Sequence, residues 1–137
     1  MSYDVTICAD ETFSRSVQFA PLADFIATLR RVQPNGERGF VLSEGKRIWM
    51  EIDLEEVNDE GDILDDYESS TIVNCVRLHI PYPMLGDHPD RDYFPIAIEI
   101  ARHLGWQAID DQTGEPLRTS SAVAGSKADQ KPWWKFW

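Results

Sequence analysis

Residues 39–57, GFVLSEGKRIWMEIDLEEV, contain the pattern that decides the fold. From Arg47 to Leu54 the side chains alternate in character, which is typical of a strand with one buried and one exposed face. The apolar set is Ile48, Met50, Ile52 and Leu54, and the opposite set is Arg47, Trp49, Glu51 and Asp53. An apolar run precedes the turn residues Glu44 and Gly45, so the stretch predicts a β-hairpin.

Three further segments have the residue pattern of strands. Residues 3–13, YDVTICADETF, alternate between apolar and small polar side chains and predict a first strand. Residues 71–82, TIVNCVRLHIPY, predict one continuous strand. Residues 106–118, WQAIDDQTGEPLR, predict a short strand followed by a tight turn.

Two segments predict amphipathic helices. Residues 21–32, PLADFIATLRRV, begin with a proline suited to a first helical turn and repeat apolar residues at helical spacing. Residues 93–106, YFPIAIEIARHLGW, carry a broad apolar stripe, and Gly105 is expected to end that helix in the left-handed conformation. Residues 33–36, QPNG, predict a turn, and the proline-rich residues 81–92 predict a loop.

These elements give the order β-α-β-β-β-α-β and predict an α+β fold. We expect a single domain over residues 1–118, with an antiparallel sheet of about five strands and two helices packed on it. Residues 119–132 have the small, polar composition of a flexible linker. Residues 133–137 then form an aromatic C-terminal tail.

The negative charge is concentrated in one segment. The formal net charge is −11, and residues 51–68, EIDLEEVNDEGDILDDYE, contain ten of the 24 acidic residues and no basic one. The rest of the chain has 14 acidic against 13 basic residues and is close to neutral. A charge of this sign argues against non-specific binding to nucleic acid, which requires neutralised phosphates.

Three interpretations of the acidic segment remain open: a solvated loop, a calcium site, and a surface that captures a basic partner electrostatically. A calcium loop with Gly61 at its sixth position would place Tyr67 where a bidentate carboxylate is needed, so the match is poor. The basic-partner interpretation predicts a contact face made of Glu51, Asp53, Glu55, Glu56, Asp59, Glu60, Asp62, Asp65 and Asp66.

The chain ends in KPWWKFW, residues 131–137, which places three of five tryptophans in the last five positions. Aromatic anchors flanked by lysines suit a partner's groove, and they would also contact a membrane surface weakly. Packing on the domain itself, including its own acidic segment, is a further alternative. The predicted contact residues of this tail are Trp133, Trp134, Phe136 and Trp137.

Catalytic and metal-binding motifs are weakly represented. The sequence has neither a G-x-S-x-G elbow nor a glycine-rich phosphate loop. Asp87, His88 and Asp90 form the best local set of metal-ligand residue types, but prolines and aspartates also make ordinary turns. Asp110 and Asp111 are adjacent on a strand and should point to opposite faces. We therefore predict a protein that is not an enzyme and has no cofactor.

Cys8 and Cys75 fall in apolar strand segments, where two reduced and buried thiols are the simplest expectation. The N-terminus has no basic region followed by an apolar run, and no stretch of about 18 apolar residues occurs. These features predict a cytoplasmic protein without a transmembrane segment.

Residues 96–117, IAIEIARHLGWQAIDDQTGEPL, resemble a loose group of small bacterial proteins, some of them similar to immunity proteins encoded beside secreted toxins. The group shares a helix ending in L-G-W, a strand, and then D-x-Q-T-G. The resemblance covers about a fifth of the chain and implies bacterial origin and a helix-turn-strand unit. The matching residues are Leu104, Gly105, Trp106, Asp111, Gln112, Thr113 and Gly114. The pair Asp110-Asp111 departs from the pattern, because many relatives have one acidic residue and a proline there.

Three hypotheses about function follow from the sequence. The first is a non-enzymatic binding protein, similar to an immunity protein, that neutralises a basic toxin through the acidic segment. The second is an adaptor tethered to a partner protein or membrane surface by its tail. The third is a small metal-dependent enzyme that uses the Asp87-His88-Asp90 cluster.

Overall fold

The computed structural model describes residues 2–66 and 69–117. It confirms the predicted α+β class: an antiparallel sheet is packed against helices through one continuous hydrophobic core. The predicted linker, residues 119–132, and the aromatic tail, residues 133–137, lie outside the described residues.

Six strands form the main sheet, and two short strands form a separate ladder. The strands are β1 (Ser2–Cys8), β2 (Val17–Gln18), β3 (Val32–Pro34), β4 (Gly39–Glu44), β5 (Ile48–Glu55), β6 (Ile72–Val73), β7 (Cys75–Pro81) and β8 (Gln107–Asp110). The main sheet has the order β3-β4-β5-β7-β1-β8, with every neighbouring pair antiparallel, and β2 pairs with β6.

Two longer helices cover one face of the main sheet. The helices are α1 (Phe19–Ala27), α2 (Tyr82–Leu85), α3 (Pro89–Asp92) and α4 (Phe94–Leu104). Leu22 and Ile26 of α1 and Ile100 of α4 are buried in the same core as the apolar face of the sheet. The ring of His103 on α4 stacks on Phe25 of α1 with 3.7 Å between centroids, which connects the two helices.

The predicted alternation in β5 is confirmed. Ile48, Met50, Ile52 and Leu54 are at most 2% exposed, and the same apolar face continues on β7, which pairs with β5, and on β1, which pairs with β7. Residues 104–114, which carry the L-G-W and D-x-Q-T-G pattern, form the end of a helix, a strand and a turn, as expected. Gly105 has φ of 72° and ends the helix in the left-handed conformation. Gly114 has φ of 74° in the turn that follows β8.

Three local predictions were wrong. Residues 32–34, predicted to continue α1 and turn away, form the edge strand β3, where an edge position tolerates Pro34. The predicted loop at 81–92 contains α2 and α3, because its prolines occupy first-turn positions that suit a helix. The predicted strand at 71–82 is interrupted at Asn74, which separates β6 from β7.

The face of the main sheet opposite the helices carries polar side chains, and we call it the open face. Asp4 and Thr6 of β1 lie beside His79 and Arg77 of β7, and these in turn lie beside Glu51 and Asp53 of β5. Because side chains alternate between the two faces of a strand, all six project to the same side of the sheet.

Candidate functional site

The open face forms a shallow groove of about 290 Å³ across three strands. Five carboxylates line the groove together with one arginine and one histidine. The polar lining residues are Asp4, Glu51, Asp53, Glu55, Arg77, His79 and Asp111. These residues come from four separated parts of the chain, and sheet pairing brings them together.

One end of the groove is built from β1, β7 and the turn after β8. The Nδ1 atom of His79 lies 2.9 Å from Oδ1 of Asp4, and both side chains are nearly half exposed. The hydroxyl of Ser2 donates to the Asp4 carboxylate at 3.0 Å. The hydroxyl of Thr6 donates to Oδ1 of Asp111 at 2.7 Å. These contacts orient Asp4 and Asp111 toward the groove and leave both accessible.

An ion pair between a half-exposed arginine and a buried glutamate closes the other end of the groove. The Nε atom of Arg77 lies 2.9 Å from Oε1 of Glu55, whose side chain is 9% exposed. Arg77 also donates through Nη2 to the carbonyl oxygen of Gly61 at 2.6 Å. Glu55 was predicted as a contact residue, but its burial and this pairing make it a support of the groove floor. Arg77, the arginine of the groove, is thus already paired with groups of the protein itself.

Two carboxylates of the groove, those of Asp53 and Asp111, are partly desolvated and lie near other acidic groups. Desolvation raises the pKa of Asp53 above its usual range, and the nearby charge of Glu51 raises it further, against a smaller opposite effect of His79. Desolvation also raises the pKa of Asp111, against the opposite effects of its hydrogen bond from Thr6 and of the nearby charge of Arg77, and Asp4 and Asp110 add smaller increases. Ionising these groups costs free energy that a cation placed in the groove would recover.

The acidic segment continues from β5 into a short hairpin that contains one isolated β-bridge. Val57 pairs with Ile63, and the amide of Leu64 donates to the carbonyl of Glu56 at 3.1 Å. We call residues 56–66 the acidic hairpin. Of the predicted contact residues, Glu51, Asp53 and Glu56 are partly exposed, and the exposed ones are Asp59, Glu60, Asp62, Asp65 and Asp66.

The hairpin geometry does not match a calcium loop. The side-chain oxygen of Asn58 accepts from the amides of Glu60 and Asp62 at 2.9 and 3.0 Å, so it caps the turn. Across residues 2–66 and 69–117, no group of three or more His, Cys, Asp or Glu side chains is arranged to hold a metal ion. Asp87, His88 and Asp90 are among these residues, so they do not form the metal site that the third hypothesis requires.

Two other predicted features are resolved by geometry. Asp110 accepts a hydrogen bond from the hydroxyl of Tyr3, whereas Asp111 accepts one from the hydroxyl of Thr6. The two carboxylates therefore lie on opposite sides of the sheet. Cys8 and Cys75 are both free and buried, as expected. Burial raises the pKa of each thiol to about 12, which leaves little of the reactive thiolate at neutral pH.

A larger hollow of about 410 Å³ lies at the end of α1, but its charges are balanced. Its lining includes two arginines and two glutamates, and Arg31 pairs with Glu44 at 2.5 Å. By volume alone this hollow would be the better candidate for a binding site. The groove on the open face is preferred because its carboxylates outnumber its cations. We therefore identify the open face and the acidic hairpin together as the candidate site.

Sequence reasoning did not identify Asp4, Thr6, Arg77 and Asp111 as parts of this site. Alternation does place Arg77 and His79 on one strand face, but it gives no indication of their neighbours on other strands. The sequence did contain one indication of the site. Each of three strands, β1, β5 and β7, has an apolar face and an opposite face with polar residues. Such faces must lie on the same side when the strands share one sheet.

The surplus charge has a measurable consequence for stability. Because the folded-state pKa of Asp53 is raised, its ionised form destabilises the fold, and this cost is complete above the raised pKa. Replacing Asp53 with asparagine should raise the free energy of unfolding at pH 7 by about 0.5–1 kcal/mol. The gain should shrink as the pH falls through the raised pKa and vanish below about pH 4, the unfolded-state value for aspartate.

Chemical denaturation of both proteins between pH 4 and pH 7 measures this difference. Asp24→Asn is the matched control, since Asp24 is exposed on α1 and should give no gain. A gain for Asp53→Asn that stays constant from pH 4 to pH 7 would contradict the electrostatic explanation.

None of the helices in the described part of the chain is long and apolar enough to cross a membrane. The chain was also compared with known proteins: no family model, no curated protein and no solved structure matches it.

Proposed function

We propose that this protein is a non-enzymatic binding protein that captures a basic protein partner on the open face and the acidic hairpin. The carrying observation is the excess of carboxylates in the groove, where five of them face one histidine and one arginine, the arginine is paired with Glu55, and the charge of Glu51 adds to the raised pKa of Asp53. A lysine or arginine of the partner would relieve this repulsion on binding.

The shape of the site supports a protein partner. The groove is broad, shallow and continuous with an exposed hairpin, whereas sites for small molecules are usually enclosed and mostly apolar. Trp49 lies on the same face of β5 as Glu51, and it is 37% exposed. Tryptophan beside carboxylates offers an amphipathic contact to the stem and charge of a basic side chain.

An immunity-like role is the specific form of this proposal. A nuclease or other toxin that acts on a negatively charged substrate presents a basic cleft, and an acidic surface would cover it and speed capture. The resemblance carried by residues 104–114 leads to the same idea independently of charge. A gene for a basic toxin beside the gene for this chain would identify the partner to be tested.

The binding face can be tested with a deca-lysine peptide as a defined basic probe. Replacing both Glu51 with glutamine and Asp53 with asparagine should weaken binding about tenfold, because each exposed ion pair contributes up to about 1 kcal/mol. Binding of the unmodified protein should also weaken steeply as salt rises from about 0.05 to 0.5 M. Isothermal titration calorimetry measures both effects.

The matched control has the same change of net charge on the helix layer. Asp24→Asn combined with Glu99→Gln removes two exposed carboxylates from α1 and α4, and it should leave the affinity within about twofold. Equal losses in the two double variants would mean that only net charge matters, which would overturn the assignment of the open face. The same two variants should then be compared with the cognate partner.

A further inference from the structure

The open face is a sheet face with no covering layer among the described residues, and the same chain contains a segment with complementary chemistry. We propose that the C-terminal residues 131–137, KPWWKFW, dock on the open face and thereby compete with the basic partner. This inference rests on the proposed function, because the tail would regulate access to the same surface.

Charge complementarity is the first argument. Lys131 and Lys135 flank the aromatic residues of the tail, and they are the kind of cation that the groove lacks. Glu51, Asp53 and Asp111 line the same groove on the open face. The tail therefore carries the same kind of charge as the proposed basic partner, on the same chain.

Aromatic complementarity is the second argument. The indole of Trp49 is among the large exposed apolar groups of the described chain, and its Nε1 atom lies 3.5 Å from Oε2 of Glu51. A tail ring that stacks on Trp49 would bring a flanking lysine next to Glu51. Aromatic pairs and cation–π contacts both contribute beyond the area that they bury.

The position at which the described chain ends is the third argument. The amide of Leu117 donates to the carbonyl of Ala108 at 3.0 Å, so the chain leaves the domain alongside β8. From β8 to β5 the sheet crosses three strand spacings, or about 14 Å. The 13 residues of 118–130 can span at most about 45 Å, which is more than this distance requires.

Tethering makes even a weak contact effective. A short linker of this kind holds a tethered peptide at an effective concentration near the millimolar range. A tail with a millimolar dissociation constant would thus occupy the open face about half of the time. A tighter basic partner would displace it, so the tail raises the affinity threshold for binding and favours the cognate partner over weak ones.

The five tryptophan indole N–H signals of the full chain, resolved by nuclear magnetic resonance, provide a direct test. Single Trp→Phe substitutions assign the three tail signals. At low salt these signals should differ from those of the free synthetic peptide KPWWKFW. They should move toward the free-peptide positions when Glu51→Gln and Asp53→Asn are combined, and they should not move in the control Asp24→Asn with Glu99→Gln.

Three results would overturn the proposal. Tail signals that already match the free peptide at low salt would exclude docking. Tail signals that respond equally to both double variants would exclude docking on this face. Shifts that depend on protein concentration between about 20 and 500 µM would place the tail on a second copy of the chain, since intramolecular docking is independent of concentration.

The deca-lysine titration separates this inference from the proposed function. Replacing Trp133, Trp134 and Trp137 with serine should tighten peptide binding by up to about twofold, because a tail that occupies the face half of the time halves the apparent affinity. Loss of peptide binding in the open-face variant without any response of the tail would reject only the docking. A tail that docks on a face that does not bind deca-lysine would reject only the proposed partner surface.

Discussion

Replacement of Arg38 with alanine should lower the free energy of unfolding by about 4 kcal/mol, because one buried and two partly buried hydrogen bonds from a charged donor to carbonyl groups are lost. Arg38 is 9% exposed and donates to the carbonyls of Leu54, Ser70 and Ile72 at 2.9, 2.6 and 3.0 Å. Its guanidinium also lies over the ring of Phe19, 4.8 Å from the centroid. One side chain thus joins β5 to the end of the acidic segment.

Chemical denaturation at pH 7 measures this loss, and two variants define its cause. Lys46→Ala removes an equal charge from the exposed turn between β4 and β5, and it should change stability by less than about 0.5 kcal/mol. Arg38→Lys should restore only a part of the loss, because an ammonium group cannot reproduce the planar fork that contacts several carbonyls. Full stability of the lysine variant would show that charge alone, and not the fork, is required.

Replacement of Asn74 with alanine should cost about 3 kcal/mol, since it leaves buried backbone groups of the acidic hairpin without partners. The side chain of Asn74 accepts from the amide of Val57 and donates to its carbonyl, both at 2.9 Å. It also donates to the carbonyl of Phe13 at 3.2 Å. Asn74 therefore replaces a missing strand neighbour for Val57, which is 3% exposed.

Asn58 offers a matched control for the Asn74 prediction within the same hairpin. Its side chain also caps backbone amides, but it is exposed, so water can replace it and Asn58→Ala should cost about 1 kcal/mol or less. Hydrogen exchange gives a local measurement. The Val57 amide should lose protection in Asn74→Ala and keep it in Asn58→Ala. Equal protection in the two variants would contradict the role assigned to Asn74.

Both predictions connect the fold to the candidate site. Arg38 holds the segment that returns from the acidic hairpin to β6, and Asn74 holds the hairpin itself. If the hairpin is part of the binding surface, both variants should also weaken deca-lysine binding under conditions in which they remain folded. The acidic segment is thus held by buried polar contacts, which fix a strongly charged loop in one position.

Local patterns in the sequence predicted most of the elements. The alternation in residues 48–55 required a half-buried strand, and the apolar stripe in residues 94–104 required an amphipathic helix. Gly105 predicted the end of α4, because glycine adopts the left-handed conformation at little cost. Each of these inferences depends on neighbours within a few positions, and such neighbours are visible in the chain.

The errors arose where distant contacts decide the local structure. Residues 32–34 form a strand only because β4 lies beside them, and Val32 is their one buried residue. Asn74 appeared to be a polar position within a strand, and its role depends on Val57 and Phe13, which lie far from it in the sequence. Alternation also classed Glu55 with the exposed residues of the acidic segment, whereas Arg77 pairs with it and covers it.

The sequence alone determined that this chain forms an α+β domain with one charged segment, because periodicity and composition are local properties. The tertiary structure alone decided that the charge forms a groove. Strand register brings Asp4, Asp53 and Asp111 to the same face. On that face the guanidinium of Arg77 forms an ion pair with the carboxylate of Glu55. Register depends on pairing between distant segments, and electrostatic surplus depends on which charges are already paired, so neither can be read along one strand.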